Sequence, residues 1–280
     1  MRWILVLVLK VIFSRLKINY SFWRKIGIFR HGKMADSKYA MKIYEQHMSR
    51  MTDASSYDGK VVLEIGPGDS VASGVFTYLR GGRSILLDVG DYAQKDIKIY
   101  ERLISEGAVR GASSLIVFRS FPEMLSSLNI KYLTDGLASL RSLDSNSVDF
   151  LFSNAVLEHI KLKEFEQFLL EMHRILKPDG LCSHRIDFKD HLGGGLNNLR
   201  FSNHWWESPL FSESGFYTNR LRYTDMIVKM TNSGFDVKVI NKSTFIKPVL
   251  PRKYLAKEFE SCTDEALSIS GVDVLLSKKN

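Results

Sequence analysis

Cysteine is almost absent from the chain, and this limits the kind of protein it can be. Only Cys182 and Cys262 occur among the 280 residues, and neither belongs to a Cys-x-x-Cys pair or a Cys/His cluster. Two cysteines cannot build a disulfide framework, and structural zinc needs more ligands, so the chain suits a reducing compartment. Internal repeats are also lacking, while 45% hydrophobic and 25% charged residues are typical of a globular protein.

The body of the chain lacks an excess of either charge. The formal net charge is +8, from 39 basic and 31 acidic side chains, and alone it would suggest a partner such as nucleic acid. Residues 1–38, however, hold nine basic residues and a single acid, Asp36, so residues 39–280 are neutral. Because a neutral body offers no basic face, we expect no nucleic-acid partner.

A run of apolar residues long enough to span a membrane is lacking too, although the N-terminal arm, residues 1–38, comes close. Its unbroken apolar stretch, 3–9, ends at Lys10, whereas a spanning helix needs roughly 20 apolar residues. Ser-Arg-Leu-Lys-Ile at 14–18 supplies no cleavage site for a secretory signal. The pattern favours a basic helix lying on an anionic membrane surface. The alternatives are a helix packed on the body or on a partner chain, and a true signal or anchor.

Strand and helix patterns alternate through the rest of the chain. Apolar runs predict strands at 61–65, 84–87, 130–133, 148–152, 181–186, 235–240 and 272–276. Helical spacing predicts helices at 34–50, 70–80, 91–106, 163–176 and 223–233, with a further helix near 121–128. This alternation indicates an α/β fold with a mostly parallel sheet covered on both faces, whose ligands bind beyond the carboxyl ends of the strands.

The glycine-rich loop after the first strand is the most informative segment. Val-Val-Leu-Glu-Ile-Gly-Pro-Gly-Asp-Ser at 61–70 leads from a strand through Gly66 and Gly68 into a helix. Glycine there lets the backbone turn sharply and approach a ligand closely. Val71 stands where a dinucleotide fingerprint has its third glycine, and the Glu64 carboxylate disfavours a pyrophosphate. The loop therefore suits a cationic ligand better than a dinucleotide.

An acid follows one strand later, and three further motifs follow in order. Asp88 ends the second strand, where a carboxylate can accept hydrogen bonds from ribose hydroxyls. Asn-Ala-Val-Leu-Glu-His-Ile stands at 154–160, Arg-Ile-Leu-Lys-Pro-Asp-Gly at 174–180 and Gly-Phe-Asp-Val at 234–237. With these motifs the chain resembles the class I S-adenosylmethionine-dependent methyltransferases of the type 11-like group. The resemblance implies a Rossmann-like, doubly wound seven-stranded sheet with the last strand antiparallel, and S-adenosylmethionine as cofactor.

The resemblance also assigns six residues to the cofactor. Glu64, Gly66 and Gly68 would face its methionine part, Asp88 its ribose, Asp135 its adenine amino group, and Asn154 the methionine and the methyl group. Asp135 stands in Thr-Asp-Gly-Leu-Ala, which departs from the family's usual Gly-Asp-Ala. Asp88 and Ile130 are 42 residues apart, about twice what a single crossover helix needs. The extra segment, 107–129, is expected either to shape the adenine side or to decorate the surface.

Candidate catalytic bases follow the fourth and fifth strands. A hydroxyl nucleophile usually needs a base, and His159, His184, Asp187 and His191 are placed to supply one. His184 and Asp187 are three residues apart, so an extended strand would point them to opposite faces. Some related methyltransferases bind a divalent metal ion through an acidic residue at this point of the motif. In this chain Ala155 occupies the position of that acid, so the set of ligands is incomplete and we expect no metal.

The segment 188–222 is expected to form a substrate-side insert in a methyltransferase domain that spans 39–280. It mixes aromatic with polar side chains, which suits sugars and amphipathic small molecules. His-Arg-Ile-Asp-Phe-Lys-Asp-His-Leu at 184–192 and Tyr-Thr-Asn-Arg-Leu-Arg at 217–222 resemble segments of bacterial methyltransferases found with surface-polysaccharide enzymes. We expect O-methylation of a sugar or lipid-linked surface glycan, by a cytoplasmic enzyme peripheral at the inner face of the membrane. The alternatives are a methyltransferase for a small lipophilic metabolite and a cofactor-binding pseudo-enzyme.

Overall fold

The computed structural model describes residues 2–15, 34, 36–51, 57–108 and 117–279. The chain divides into two compact units that interleave along the sequence. Unit 1 comprises Met1–Phe29, Ala155–Leu169 and Arg185–Val274, and unit 2 comprises Arg30–Asn154, Leu170–His184 and Leu275–Asn280. The predicted boundary at residue 38 lies beside residues outside the described ranges, and that division of the chain stays a prediction.

Seven strands form one mixed sheet, which confirms the predicted fold class. The strands are β1 (Val61–Ile65), β2 (Arg83–Leu87), β3 (Ile130–Leu133), β4 (Val148–Asn154), β5 (Leu176–Asp187), β6 (Phe235–Thr244) and β7 (Ile269–Lys278). Their order is β3-β2-β1-β4-β5-β7-β6, and β7 is the antiparallel strand. β1 pairs in parallel with both β2 and β4, and β2 with β3, so the carboxyl ends of these four strands meet at one edge.

Helices alternate with the strands as the sequence predicts. The longer ones are α1 (Arg2–Arg15), α2 (Ser37–Met48), α3 (Ala72–Tyr78), α4 (Ile97–Ala108), α5 (Phe121–Ser127), α6 (Leu137–Arg141), α7 (Leu162–Ile175) and α10 (Tyr223–Asn232). Short helices are α8 (Asn203–Trp206), α9 (Pro209–Ser212) and α11 (Asp264–Ser268), with 3-10 turns at Leu157–His159, Asn197–Arg200, Arg252–Tyr254 and Lys257–Phe259. Among the described residues, no helix is both long and apolar enough to cross a bilayer.

The core of unit 2 lies between the parallel strands and their helices. Phe152 of β4 lies near Tyr44 of α2, with ring centroids 6.3 Å apart, and Tyr44 contacts Phe76 of α3 at 5.5 Å. All three rings are fully buried. Burial of rings this large supplies a major part of the apolar stabilisation of such a core.

The core of unit 1 contains most of the aromatic residues of the insert. Trp206 is fully buried and lies within 5.4–6.4 Å of the Phe211, Phe216 and Tyr217 rings. The indole N–H of Trp206 donates to the carbonyl of Thr218 at 2.7 Å, which satisfies its one polar atom. These rings of the 188–222 insert therefore stabilise the unit, and a different aromatic side chain must serve any ligand.

The starts of β5 and α4 differ most from the sequence prediction. β5 begins at Leu176, five residues early, because Lys177 reaches Asp149 of β4 at 2.8 Å and the φ angle of Pro178 is compatible with an extended chain. α4 begins at Ile97 instead of residue 91, because the N–H groups of Tyr92 and Ala93 donate to the Tyr132 hydroxyl. The predicted helix near 121–128 is confirmed as α5, with Ser120 as its cap.

Candidate cofactor and acceptor sites

Three loops of unit 2 are joined at the carboxyl ends of β1, β2 and β3. The N–H of Gly66 donates to the carbonyl of Leu87 at 2.7 Å, and the N–H of Asp88 donates to that of Leu133 at 2.9 Å. The N–H of Gly136 in turn donates to the carbonyl of Asp88 at 2.9 Å. The glycine loop, Asp88 and the 134–138 loop therefore lie side by side, as the sequence predicts.

The glycine loop has a backbone that other residues rarely adopt. Gly66 and Gly68 have φ angles of 74° and 67°, in the left-handed region where a Cβ atom is strained. The N–H of Gly68 donates to Asp88 Oδ2 at 3.0 Å. The two glycines thus bend the loop back onto the carboxylate that ends β2.

Asp88 is held by backbone groups on both of its oxygens. Its Oδ1 accepts from the N–H of Val89 at 2.7 Å, while Oδ2 accepts from Gly68. A carboxylate can accept about four hydrogen bonds, so it can still take two ribose hydroxyls. Burial raises the pKa of Asp88 to about 6, and the two backbone hydrogen bonds oppose that rise.

Glu64 is buried within unit 2 and is bonded to the helix that follows the loop. The hydroxyl of Ser73 on α3 donates to Glu64 Oε2. Burial raises the pKa of Glu64 to about 8, and the nearby charge of Asp88 adds to the rise. Glu64 thus links β1 to α3. Its partner Ser73, nine residues further on, was not predicted, because no motif marks it.

The other two predicted cofactor residues differ in exposure. Asp135 is exposed, and its backbone N–H donates to Ser139 Oγ at 3.0 Å, which fixes the start of α6. Asn154 is half-buried at the end of β4. Both residues lie at the carboxyl ends of strands in unit 2, so all six predicted cofactor residues belong to that unit.

His184 lies in a buried polar layer of unit 2. Its Nδ1 lies 2.7 Å from Ser153 Oγ, and nearby His47 Nδ1 lies 2.8 Å from Ser183 Oγ. Both imidazoles are fully buried, and burial lowers the pKa of each to about 3, so both are neutral. The sequence did not predict His47, which comes from α2 and lies 136 residues before Ser183.

The other predicted bases lie in unit 1, where His159 pairs with His191. The Nε2 atoms of the two imidazoles are 3.2 Å apart, and the rings are parallel within 6°. His159 Nδ1 lies 2.8 Å from the backbone carbonyl oxygen of Tyr217. Asp187 instead accepts from the N–H of Lys189 at 3.0 Å. The structure therefore brings His159 together with His191, and it places His184 in the other unit.

The described residues offer no obvious metal centre. Among them, no group of three or more His, Cys, Asp or Glu side chains is placed to hold a metal ion. His159 and His191 supply two nitrogens and no third ligand, so their short contact is best explained as a hydrogen bond.

Comparison with known proteins agrees with this geometry. Residues 63–183 match the model of a family described as "Methyltransferase domain". The sheet order, the glycine loop and this match define a Rossmann-like methyltransferase domain. Residues 63–183 therefore belong to a class I S-adenosylmethionine-dependent methyltransferase domain, an enzyme domain whose cofactor is S-adenosylmethionine.

Several solved methyltransferase structures are similar to the chain. Phosphoethanolamine N-methyltransferase 2 from Haemonchus contortus, in complex with S-adenosylmethionine, is 14% identical over 85% of this chain and 53% of its own, with a TM-score of 0.48. A 1,6-didemethyltoxoflavin-N1-methyltransferase from Burkholderia thailandensis is 15% identical over 100% of this chain and 91% of its own, with a TM-score of 0.47. A methyltransferase from Methanosarcina mazei is 16% identical over 80% of this chain and 94% of its own, with a TM-score of 0.47. A search of curated proteins gave no significant match.

Proposed function

We propose that this methyltransferase methylates a hydroxyl group of a sugar or lipid-linked glycan, with the His159–His191 pair receiving the hydroxyl proton. The hydrogen bonds of the pair carry the proposal. Because a carbonyl oxygen can only accept, His159 Nδ1 must hold a proton and donate it to Tyr217. Neutral His159 then has a lone pair on Nε2, and His191 Nε2 must donate to it.

This arrangement leaves His191 Nδ1 with a free lone pair. No hydrogen-bond partner of that atom occurs among the described residues, so it can accept from a ligand hydroxyl. The surrounding protein lowers the pKa of His159, and burial together with the charges of His159 and Lys10 lowers that of His191 to about 3. Both rings are therefore neutral at neutral pH, although the nearby charge of Asp187 opposes the shift at His159.

The pair is held in place by Asn219, which acts as a positioning residue. Its side-chain amide donates to the carbonyls of Leu157 and Ile160 at 2.8 and 3.1 Å, on either side of His159. Its backbone N–H donates to the carbonyl of Glu158 at 2.7 Å. These bonds fix the turn that carries His159 relative to the segment that carries the Tyr217 carbonyl.

The transfer balances as a single displacement. The acceptor oxygen forms a bond to the methyl carbon as the carbon–sulfur bond breaks, which turns the sulfonium into S-adenosylhomocysteine. The hydroxyl proton passes to His191 Nδ1 and then to solvent. We assign Glu64, Gly66, Gly68, Asp88, Asp135 and Asn154 to hold the cofactor, on the strength of the shared edge where their loops lie.

His184 and Asp187 are the alternative bases. His184 is fully buried with Nδ1 taken by Ser153, and Asp187 binds the backbone and the ammonium group of Lys189. His184 Nε2 has no hydrogen-bond partner among the described residues, but it is fully buried, and both oxygens of Asp187 contact Lys189. These surroundings favour the His159–His191 pair.

Two features support a sugar or lipid-linked glycan as the acceptor: the exposed ring of Trp205 and the N-terminal arm, residues 1–38. Trp205 is 59% exposed in the insert next to the buried Trp206, and an exposed aromatic face can stack on a sugar ring. Residues 1–38 carry the excess positive charge, so we place the enzyme peripherally on an anionic membrane, where lipid-linked glycans are made. A small lipophilic metabolite is the second candidate acceptor, because the same apolar arm would serve it.

Methyl transfer from labelled S-adenosylmethionine to glycan lipids, free sugars, isoprenoids and aromatic acids tests the proposal. We expect label in a glycan acceptor, and His191→Asn should lower kcat by about 100-fold or more with cofactor affinity unchanged. His204→Asn is the matched control, since His204 is an exposed histidine of the same insert, and it should retain activity.

Three other results would overturn parts of the proposal. If His184→Asn or Asp187→Asn lowered kcat and His191→Asn did not, the residue whose substitution lowered kcat would be the base. Label only in an isoprenoid or aromatic acceptor would establish the lipophilic metabolite. Cofactor binding by calorimetry with no transfer to any acceptor would identify a pseudo-enzyme.

A further inference from the structure

The N-terminal helix α1 has two apolar faces, and only one of them packs on its own unit. Trp3, Leu7 and Val11 pack against the aromatic cluster of unit 1. The opposite face consists of five aliphatic residues with large exposed fractions: Ile4 46%, Leu5 61%, Val8 47%, Leu9 41% and Ile12 52%. Since each residue advances about 100° around a helix, these five cover one stripe about 140° wide. We call this stripe the outer face of α1.

The inner face of α1 is fixed by specific contacts. The Trp3 ring lies edge-on to Phe201 with centroids 6.2 Å apart, and the guanidinium of Arg200 lies 5.0 Å from the Trp3 centroid. Lys10 turns toward the same unit: burial lowers the pKa of its ammonium, and the charge of Asp190 opposes that shift. The outer face is therefore presented by a helix that is already docked, which removes the need to order it on binding.

An exposed apolar stripe of this size needs a partner, and the charges around it indicate which kind. The segment 1–38, to which α1 belongs, holds nine basic residues against the single acid Asp36, and this excess of positive charge favours an anionic surface. Arg2 and Arg15 stand at the two ends of α1. A helix of 14 residues is about 21 Å long, shorter than the ~30 Å hydrocarbon layer, so it would lie in the interface and not cross it.

We infer that the outer face of α1 inserts into the interfacial layer of an anionic lipid membrane. The inference deepens the proposed membrane location: it names the inserting side chains and assigns Trp3, Leu7, Val11 and Lys10 to internal packing. The inner face of α1 would then hold the helix in place by packing against the aromatic cluster of the insert. A glycan or metabolite carried by a lipid would then meet the enzyme at the surface where α1 binds.

Vesicle flotation of the full chain tests this inference. The vesicles contain either phosphatidylglycerol mixed with phosphatidylcholine or phosphatidylcholine alone. We expect binding to the anionic vesicles that weakens at high salt, and a loss of at least about tenfold in affinity with the double variant Leu5→Gln/Leu9→Gln. The matched control is Val228→Gln/Ile246→Gln, which removes two exposed aliphatic side chains of the same unit, 50% and 99% exposed, and should bind as the wild type does.

The remaining outcomes decide against the inference. Unchanged vesicle binding by Leu5→Gln/Leu9→Gln would overturn it. Light scattering that shows a wild-type dimer, a monomeric double variant and no vesicle binding would assign the outer face to a second copy of the chain. Calorimetry with S-adenosylmethionine and methyl transfer to a detergent-dispersed acceptor separate this result from the proposed function, since neither measurement should change with the double variant.

Discussion

Asp88 joins two loops of unit 2 and keeps lone pairs for a ligand. Because the ribose hydroxyls would donate to this carboxylate, Asp88→Ala should weaken S-adenosylmethionine binding by about 1–3 kcal/mol, as measured by titration calorimetry. Asp91→Ala is the matched control, because Asp91 is exposed and forms a surface ion pair with Lys95. An equal effect of the two substitutions would contradict the ribose role.

The pH dependence of binding gives a second measure of the same carboxylate. Burial raises the pKa of Asp88 to about 6, so its neutral form becomes populated as the pH falls through that value. A protonated acid accepts hydrogen bonds less well, so the cofactor affinity should decrease from pH 7.5 to 5. Burial raises the pKa of Glu64 to about 8, so Glu64 also gains protons over this range. Asp88→Asn, which cannot ionise at this position, should therefore reduce the decrease to the part due to Glu64, and a wild-type affinity that stays constant to pH 5 would contradict the assignment.

The sequence predicted residues whose roles depend on neighbours close along the chain. Gly66, Gly68 and Asp88 follow directly from strand ends, and the structure places them side by side. The pairing of His159 with His191 depends on a contact across 32 residues and on the Tyr217 carbonyl, so local spacing could not reveal it.

Among the elements of unit 1, the buried side chain of Arg222, just before α10, links three segments that are far apart in the sequence. Its guanidinium donates to the carbonyls of Phe188, Ala266 and Ile269 at 3.0, 3.1 and 2.7 Å, which joins the insert to the end of α11 and the start of β7. Arg222→Met would leave these buried carbonyls without donors, so we expect unfolding free energy to fall by about 3 kcal/mol in urea denaturation.

Arg252 provides a control with the same number of hydrogen bonds. It donates to Asp264 and to the carbonyls of Glu260 and Cys262 at 2.7–2.9 Å, but it is largely exposed. Water can replace these hydrogen bonds, so Arg252→Met should lower the free energy of unfolding by less than about 1 kcal/mol. Equal losses for Arg222→Met and Arg252→Met would show that burial of the guanidinium does not account for its contribution.

Element boundaries were predictable where a single local signal sets them. The bounds of β1 and β3 agree with the sequence, because each is a short, mostly apolar segment with turn residues beside it. The starts of β5 and α4 were wrong, because Lys177 and Tyr132 supply side-chain partners from distant segments. Such contacts override local propensity, and no window of neighbouring residues contains them.

At the scale of the whole molecule, the location of the positive charge along the chain says more about the binding partner than the net charge does. The net charge of +8 alone suggested nucleic acid, whereas its confinement to 1–38 beside an apolar helix indicated a membrane surface. The structure adds that α1 also packs on unit 1, which the sequence offered as an alternative. Packing on one face and exposure on the other are compatible, because α1 is apolar on both sides.

Deletion of residues 1–15 should therefore do more than remove the arm from a membrane. Without Trp3, Leu7 and Val11, the cluster around Trp206 loses the side chains that cover it. Full burial of a large apolar side chain contributes about 1.5–3 kcal/mol, and these three are half-buried, so we expect a loss of about 3 kcal/mol in unit 1. Thermal unfolding should occur at a lower temperature, and a dye that binds exposed apolar surface should fluoresce more strongly.

The six residues that we assign to the cofactor lie in unit 2, so the deletion should leave S-adenosylmethionine affinity unchanged. Leu5→Gln/Leu9→Gln, which alters only the outer face of α1, should keep the wild-type melting temperature. These two results together would separate the structural contribution of α1 from its contribution to membrane binding. A truncated protein as stable as the wild type would instead show that the inner face adds nothing, and the helix would then serve the membrane alone.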